Sequence, residues 1–119
     1  MTRDEMMDEI LVDGFDDWVY SPVVFGCVQA ETGLSGEPLV RATMGLIHEL
    51  LGRGLMEVGD TLPEFKAWSV PVPEAFARIE RDWRAAGVDT DFVAICWFAN
   101  TPAGNARAEQ VIANQAREP

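Results

Sequence analysis

The sequence predicts an α+β domain, mostly helical, with a small two- or three-stranded antiparallel sheet, and three observations lead there. The stretch EPLVRATMGLIHELLGRG, residues 37–54, places Val40, Met44, Ile47 and Leu51 on one stripe, the periodicity of a half-buried helix. Two short segments have strand character: LMEV (55–58) alternates apolar and polar, and DFVAICWF (91–98) is rich in β-branched and aromatic residues. Finally, 119 residues, 48% of them hydrophobic, with four tryptophans and six phenylalanines, suffice for one core and hence one domain over 1–119.

The elements follow in chain order. Met6, Met7, Ile10 and Leu11 recur at three- and four-residue spacing, which predicts an amphipathic, strongly acidic helix over 1–14 that ends near Gly14. A second helix begins either at Asp16 or Asp17, because acids favour the first turn, or at Ser21 as N-cap with Pro22 in the first turn, where proline is tolerated. The glycines of TGLSGE make 32–37 a loop. Pro38 suits the first position of the third helix, and Gly54 its C-terminal stop.

After the LMEV strand come a turn at GDTLPE, a short extended piece FKAWSV, and a helix at roughly 73–86 in PVPEAFARIERDWRAAG. Phe76, Ile79 and Trp83 face one way there, while Glu74/Arg78, Arg78/Asp82 and Glu80/Arg84 stand four apart on a solvated face. The 91–98 strand should be buried on both faces. Thr101 then caps and Pro102 opens a last helix over 103–115. The expected core comprises Trp18, Phe25, Val40, Ile47, Leu51, Phe76, Ile79, Trp83, Ile95, Trp97 and Ile112.

Two pieces carry a resemblance. ELLGRG running into LMEVGD resembles the third helix and first wing strand of winged helix-turn-helix regulators, and WFANTPAGNARAE is similar to their second wing strand and following helix, with Thr-Pro-x-Gly as the turn. The resemblance implies a winged-helix-like core over 15–119. Residues 59–93 would separate the wing strands, far more than the roughly two to five of a common hairpin, so the 73–86 helix is inserted in the wing. A base-reading helix needs Arg, Lys, Asn or Gln on its free face. Here that face presents Arg41, Ala42, Gly45, His48, Glu49 and Gly52, one firm cation and one acid, and its interior glycines suggest that something packs closely there. The short helix that normally buttresses a recognition helix is not evident in TGLSGEP.

Charge bounds the function. Twenty acids against nine bases give a formal charge of -11, a field that disfavours nucleic acid and anionic membrane surfaces and suits a basic protein partner. The longest uncharged run, 19–30, is too short to span a bilayer, and the acidic N-terminus lacks the pattern of a secretory signal, which gives a cytoplasmic expectation.

Catalytic parts are not evident. Cys27 and Cys96 have no CxxC and no second histidine to complete a metal set, so they are expected to be reduced core thiols. His48, the only histidine, has no nucleophile at a useful spacing. Asp13 with Asp16 and Asp17, and Asp89 with Asp91, are paired carboxylates without a pocket implied by spacing. No phosphate-loop, dinucleotide, zinc-protease or GxSxG motif occurs. The expectation is therefore a protein that is not an enzyme and carries no metal or cofactor.

In size, acidity and lack of catalytic parts the chain is also similar to immunity proteins of toxin systems. That resemblance implies occlusion of the basic site of a cognate toxin domain, with Asp4, Glu5, Asp8, Glu9, Asp13, Asp16 and Asp17 as the contact residues. The alternative is a winged-helix transcription regulator that binds DNA as a dimer through Arg41 and Arg53. The sequence leaves the oligomeric state open.

Overall fold

The computed structural model describes residues 2–15, 17–61, 64–87 and 95–117. Among these, five helices and four strands run in the order α1 (Arg3–Asp13), β1 (Val19–Tyr20), α2 (Ser21–Thr32), α3 (Gly36–Gly52), β2 (Met56–Asp60), β3 (Lys66–Ala67), α4 (Val72–Ala86), β4 (Trp97–Asn100) and α5 (Pro102–Arg117). The strands form one antiparallel sheet in the order β1-β4-β2-β3. The α+β class and the helical majority are as the sequence predicts, but the sheet has four strands rather than two or three. The extra strands, β1 and β3, are two residues each and too short to leave a period-2 signal.

Local chemistry explains where the helices begin and end. Thr2 and Glu5 form a reciprocal capping box: the Thr2 hydroxyl accepts from the Glu5 N–H (3.1 Å), and the Glu5 carboxylate accepts from the Thr2 N–H (3.3 Å). The α1 helix stops at Gly14, whose N–H donates to the Ile10 carbonyl at 2.9 Å. The second helix starts at Ser21 with Pro22 in its first turn, the later of the two starts, but Ser21 is its first helical residue and Tyr20, without a side-chain cap bond, takes the N-cap position expected of Ser21. Asp17 does not open that helix; its carboxylate accepts from the Trp18 N–H at 2.7 Å just before β1. At the end of α3, Gly54 takes φ +68, and the N–H groups of Gly54 and Leu55 donate back to the carbonyls of Leu51 and Leu50 at 3.1 and 3.0 Å. This Schellman closure reverses the chain straight into β2.

Packing puts α1, α2 and α3 on one another and on the sheet, with Phe98 of β4 fully buried at the centre among Met7, Ile10, Leu11, Leu39, Leu46 and Leu50. The fourth helix closes the far side through Ala75, Ile79 and Trp83, and the Trp83 ring meets Phe25 of α2 edge-on at 5.3 Å. It lies between β3 and β4, so the inserted helix is present, one residue longer at its start than the expected 73–86. The fourth strand itself runs later than expected: Ile95 and Cys96 lead into it, and residues 91–94 lie outside the described residues.

Three expected core residues, Trp18, Trp97 and Ile112, are not in the core. Trp18 is 39% exposed because pleating turns its neighbour Val19 inward, and its ring rests on Phe65 at 6.2 Å. Ile112 is 40% exposed because α5 meets α1 through small residues near its own start, Gly104 and Ala108, leaving its later turns in solvent. Phe76, Ile95 and Trp97 are half-buried, and the Trp97 ring stacks on Tyr20 at 4.2 Å across the β1–β4 pair. Among the described residues no helix is long and apolar enough to cross a membrane.

Two helical glycines have opposite surroundings and should respond oppositely to alanine. At Gly104 a Cβ would strike the Leu55 backbone carbonyl, which cannot yield. At Gly45 it would meet only the tip of Arg3, 3.2 Å away and free to swing aside. Gly104→Ala is expected to destabilise by about 1–3 kcal/mol through overpacking, and Gly45→Ala to stabilise by up to about 1 kcal/mol through helix propensity. Urea unfolding of both variants checks this, and equal signs would contradict the packing described.

Candidate partner-binding surface

The acids expected to contact a partner divide into distinct settings once α1 is docked. Across from α1 lies α5, and Arg107 reaches from it to form a 2.6 Å hydrogen-bonded ion pair with Asp8; its Nη2 also donates to the Asp4 carbonyl at 3.4 Å. The Asp4 carboxylate stands 4.0 Å from Arg107 and 3.7 Å from Arg53. Asp4 and Asp8 thus share cations within the molecule.

Glu5, Asp8, Glu9 and Asp13 come together along a groove of about 450 Å³ between α1 and α5, lined also by Val12, Val111 and Gln115. Glu5, Glu9 and Asp13 stand at successive four-residue steps, which stacks them on one face of α1. Among the described residues no cation pairs with any of these three. The backbone and side-chain hydrogen bonds from Thr2 hold the Glu5 carboxyl below the usual carboxylate range. Glu9 accepts a weak 3.9 Å contact from the Cys27 thiol. Asp17 lies apart, beside a depression of about 220 Å³ with Phe15, Trp18, Asn100 and Asn105, and Asp16 lies outside the described residues.

Val12, Val111 and Gln115 of the groove, and Arg107, which pairs with its Asp8, are the residues that sequence reasoning missed. The 5-9-13 spacing and the apolar Val12 beside it were legible in α1. The contribution of α5 was not, because only the tertiary contact of α1 with α5 brings Val111 and Arg107 across.

The two arginines of the DNA alternative are placed differently from one another. Arg53 is committed inside the molecule, with its Nε 2.7 Å from Glu49 and its Nη1 3.7 Å from Asp4. Arg41 is exposed and makes no ion pair among the described residues. Between them the free face of α3 is crossed by Arg3 of α1, whose guanidinium lies against Gly45 and 3.9 Å from Glu49. This is the close neighbour that the glycine suggested; at Gly52 nothing lies within 4 Å of a Cβ position.

On α4, Arg78 pairs with Asp82 (3.8 Å) and lies over the Trp68 ring (3.7 Å) rather than turning to Glu74. Arg84 pairs with Glu80 (3.7 Å) and donates two hydrogen bonds to Glu37 of α3, at 2.7 and 3.0 Å. That pairing holds the Glu37 carboxyl below its usual range, so its contribution is present at neutral pH and is lost as pH falls through the lowered value.

Among the described residues no three His, Cys, Asp or Glu side chains converge as a metal site. His48 is exposed and meets Phe76 edge-on at 5.3 Å. Asp89 and Asp91 lie outside the described residues. Burial, reinforced by Glu9, pushes the Cys27 thiol up to about 11, and burial pushes Cys96 up to about 12. No family model, curated protein or solved structure matches this chain.

Thiols with such values are the opposite of activated nucleophiles. At pH 8 the thiolate fraction of Cys27 should be roughly a hundredth of that of an ordinary thiol, and that of Cys96 lower still. Native protein is therefore expected to react with an aromatic disulfide reagent at least about a hundredfold more slowly than protein in urea, with both thiols released on unfolding. A fast native phase at either cysteine would contradict the burial assigned here.

Proposed function

We propose that this chain is a non-enzymatic, cytoplasmic protein-binding module of the immunity type, which occludes the basic site of a cognate toxin domain with its acidic α1–α5 face. The observation that supports this reading best is the groove itself. Glu5, Glu9 and Asp13 line up along α1 with no ion-pair partner among the described residues, in a groove that also holds the apolar Val12 and Val111. Stacked like charges at i,i+4 cost about 0.2–0.5 kcal/mol per pair in an isolated helix. A basic partner segment seated there would relieve that repulsion and cover the valines. The chain's -11 charge would raise the association rate with such a partner, an effect that salt suppresses.

Asp4 and Asp8 fit the edge of this surface better than its centre, because Arg53 and Arg107 already neutralise them. Asp17 and the exposed Trp18 lie apart from this groove, beside Phe15 and Asn100, and fall outside the central contact. The DNA-binding alternative has less support: of its two arginines, Arg53 is held by Glu49 and Asp4, which leaves Arg41 alone on the α3 face.

The test is co-expression with the domains encoded beside this gene, among which a basic, toxic one is expected. The chain is expected to rescue growth and to co-purify with that domain. Glu9→Lys/Asp13→Lys should weaken the complex by about tenfold or more, mainly by slower association, and flatten its salt dependence. Failure to rescue, or rescue indifferent to these charge reversals, sinks the reading. So does a DNA shift with steep salt dependence that Arg41→Gln abolishes.

A further inference from the structure

We infer that the groove between α3 and α4 is a second binding site, one that takes a small organic carboxylate with a flat apolar body. The inference is independent of the protein-binding reading, since the groove shares no lining residue with the α1–α5 groove and carries the opposite local charge. It encloses about 320 Å³, at the lower end of small-molecule pockets, and its walls include Met44, Gly45 and Phe76. Its rim carries Arg3, Arg41, Arg84 and His48, three of the nine basic residues and the only histidine of an otherwise acidic chain.

The pairing around that rim decides the sign of the ligand. The two rim carboxylates are both engaged: Glu49 holds Arg53 at 2.7 Å with Arg3 at 3.9 Å, and Glu80 lies 3.7 Å from Arg84. Arg84 is in turn anchored by the paired hydrogen bonds to Glu37. The remaining guanidinium is that of the exposed Arg41, which shares the field of Glu37 with Arg84 but makes no ion pair among the described residues and offers a fork that matches a carboxylate. About two turns further along α3, the His48 ring stands edge-on to Phe76 and closes the other end of the groove. Gly45 between them carries no side chain to fill the groove, and the exposed Arg3 guanidinium, 3.2 Å from its Cβ position, swings aside for the ligand. An aromatic or short aliphatic body would lie over Gly45 and against Phe76, with its carboxylate on Arg41.

The probe is 4-phenylbutyrate, titrated into the full-length protein and followed by amide NMR and calorimetry, with its neutral amide and 4-phenylbutylamine as controls. Saturable shifts confined to Arg41, Gly45, His48 and Phe76 are expected, with the amide and the amine each bound at least about tenfold more weakly. Arg41→Gln, an exposed position whose variant should keep a native spectrum, is expected to lower affinity for the acid about tenfold while leaving the amide unchanged. Equal binding of acid and amine, an undiminished affinity in Arg41→Gln, or no saturable shift at millimolar probe would overturn the inference. None of these outcomes bears on the α1–α5 face, whose charge-reversal variants should bind the probe normally.

Discussion

The pairing of β2 with β4 is the constraint on which the rest of the structure depends. It sets Met56 against Asn100 and Val58 against Phe98, two segments far apart in sequence, and so fixes where the chain emerges toward its end. Thr101 then converts that strand into a helix. Its N–H donates to the Leu55 carbonyl at 3.0 Å, its hydroxyl donates to the Gly54 carbonyl, and the same oxygen accepts from the Gly104 N–H at 3.1 Å. Because Gly104 lets the first turn of α5 press on Leu55, the helix is aimed back along α1. The Asn100 side chain completes the junction by donating to the Leu11 carbonyl at 2.8 Å. The α1–α5 groove exists because the end of the sheet is tied to both of its walls.

Magnitudes show how a helix as acidic as α1 stays docked. Met6, Met7, Ile10 and Leu11 are buried, and each such side chain contributes about 1.5–3 kcal/mol relative to exposure. Repulsion among Glu5, Glu9 and Asp13 is smaller by several fold. The one cation facing Asp8 from α5, Arg107, adds a half-buried, hydrogen-bonded pair on the side where the two helices meet. Apolar burial therefore sets the position of α1 and leaves its outer face free to carry unpaired charge, which is the condition an electrostatic docking surface requires.

What could be read from the sequence divides along the same line between local and tertiary causes. The α1 stop at Gly14, the α3 stop at Gly54 and the Thr101-Pro102 turn were legible because each is decided by residues within a few positions of one another. Two-residue strands were not, since β1 and β3 exist only by virtue of the partners they pair with. Trp18 illustrates the difference: its size argues for the core, but the pairing of Val19 with Phe98 fixes which side of the strand faces inward. Of the site, the 5-9-13 carboxylate stripe follows from helical spacing, whereas the valine and the arginine that α5 brings to it do not.

Ion pairing sorts the charges by place as well as by number. Arg53 and Arg107 are drawn to Asp4 and Asp8, at the contact of α1 with its neighbours, and Arg84 is drawn to Glu37 and Glu80 between α3 and α4. Pairing at these internal seams engages Asp8 with Arg107 and leaves Glu5, Glu9 and Asp13 of the α1–α5 groove without an ion pair among the described residues. The same sorting leaves Arg41 over on the α3 side. A winged helix that read DNA would need the reverse arrangement, with arginines free on α3 and acids held inward. To free Arg53 here would strip Glu49 of its 2.7 Å partner and leave Asp4 to Arg107 at 4.0 Å, so the architecture of this acidic face and the availability of α3 cations oppose each other.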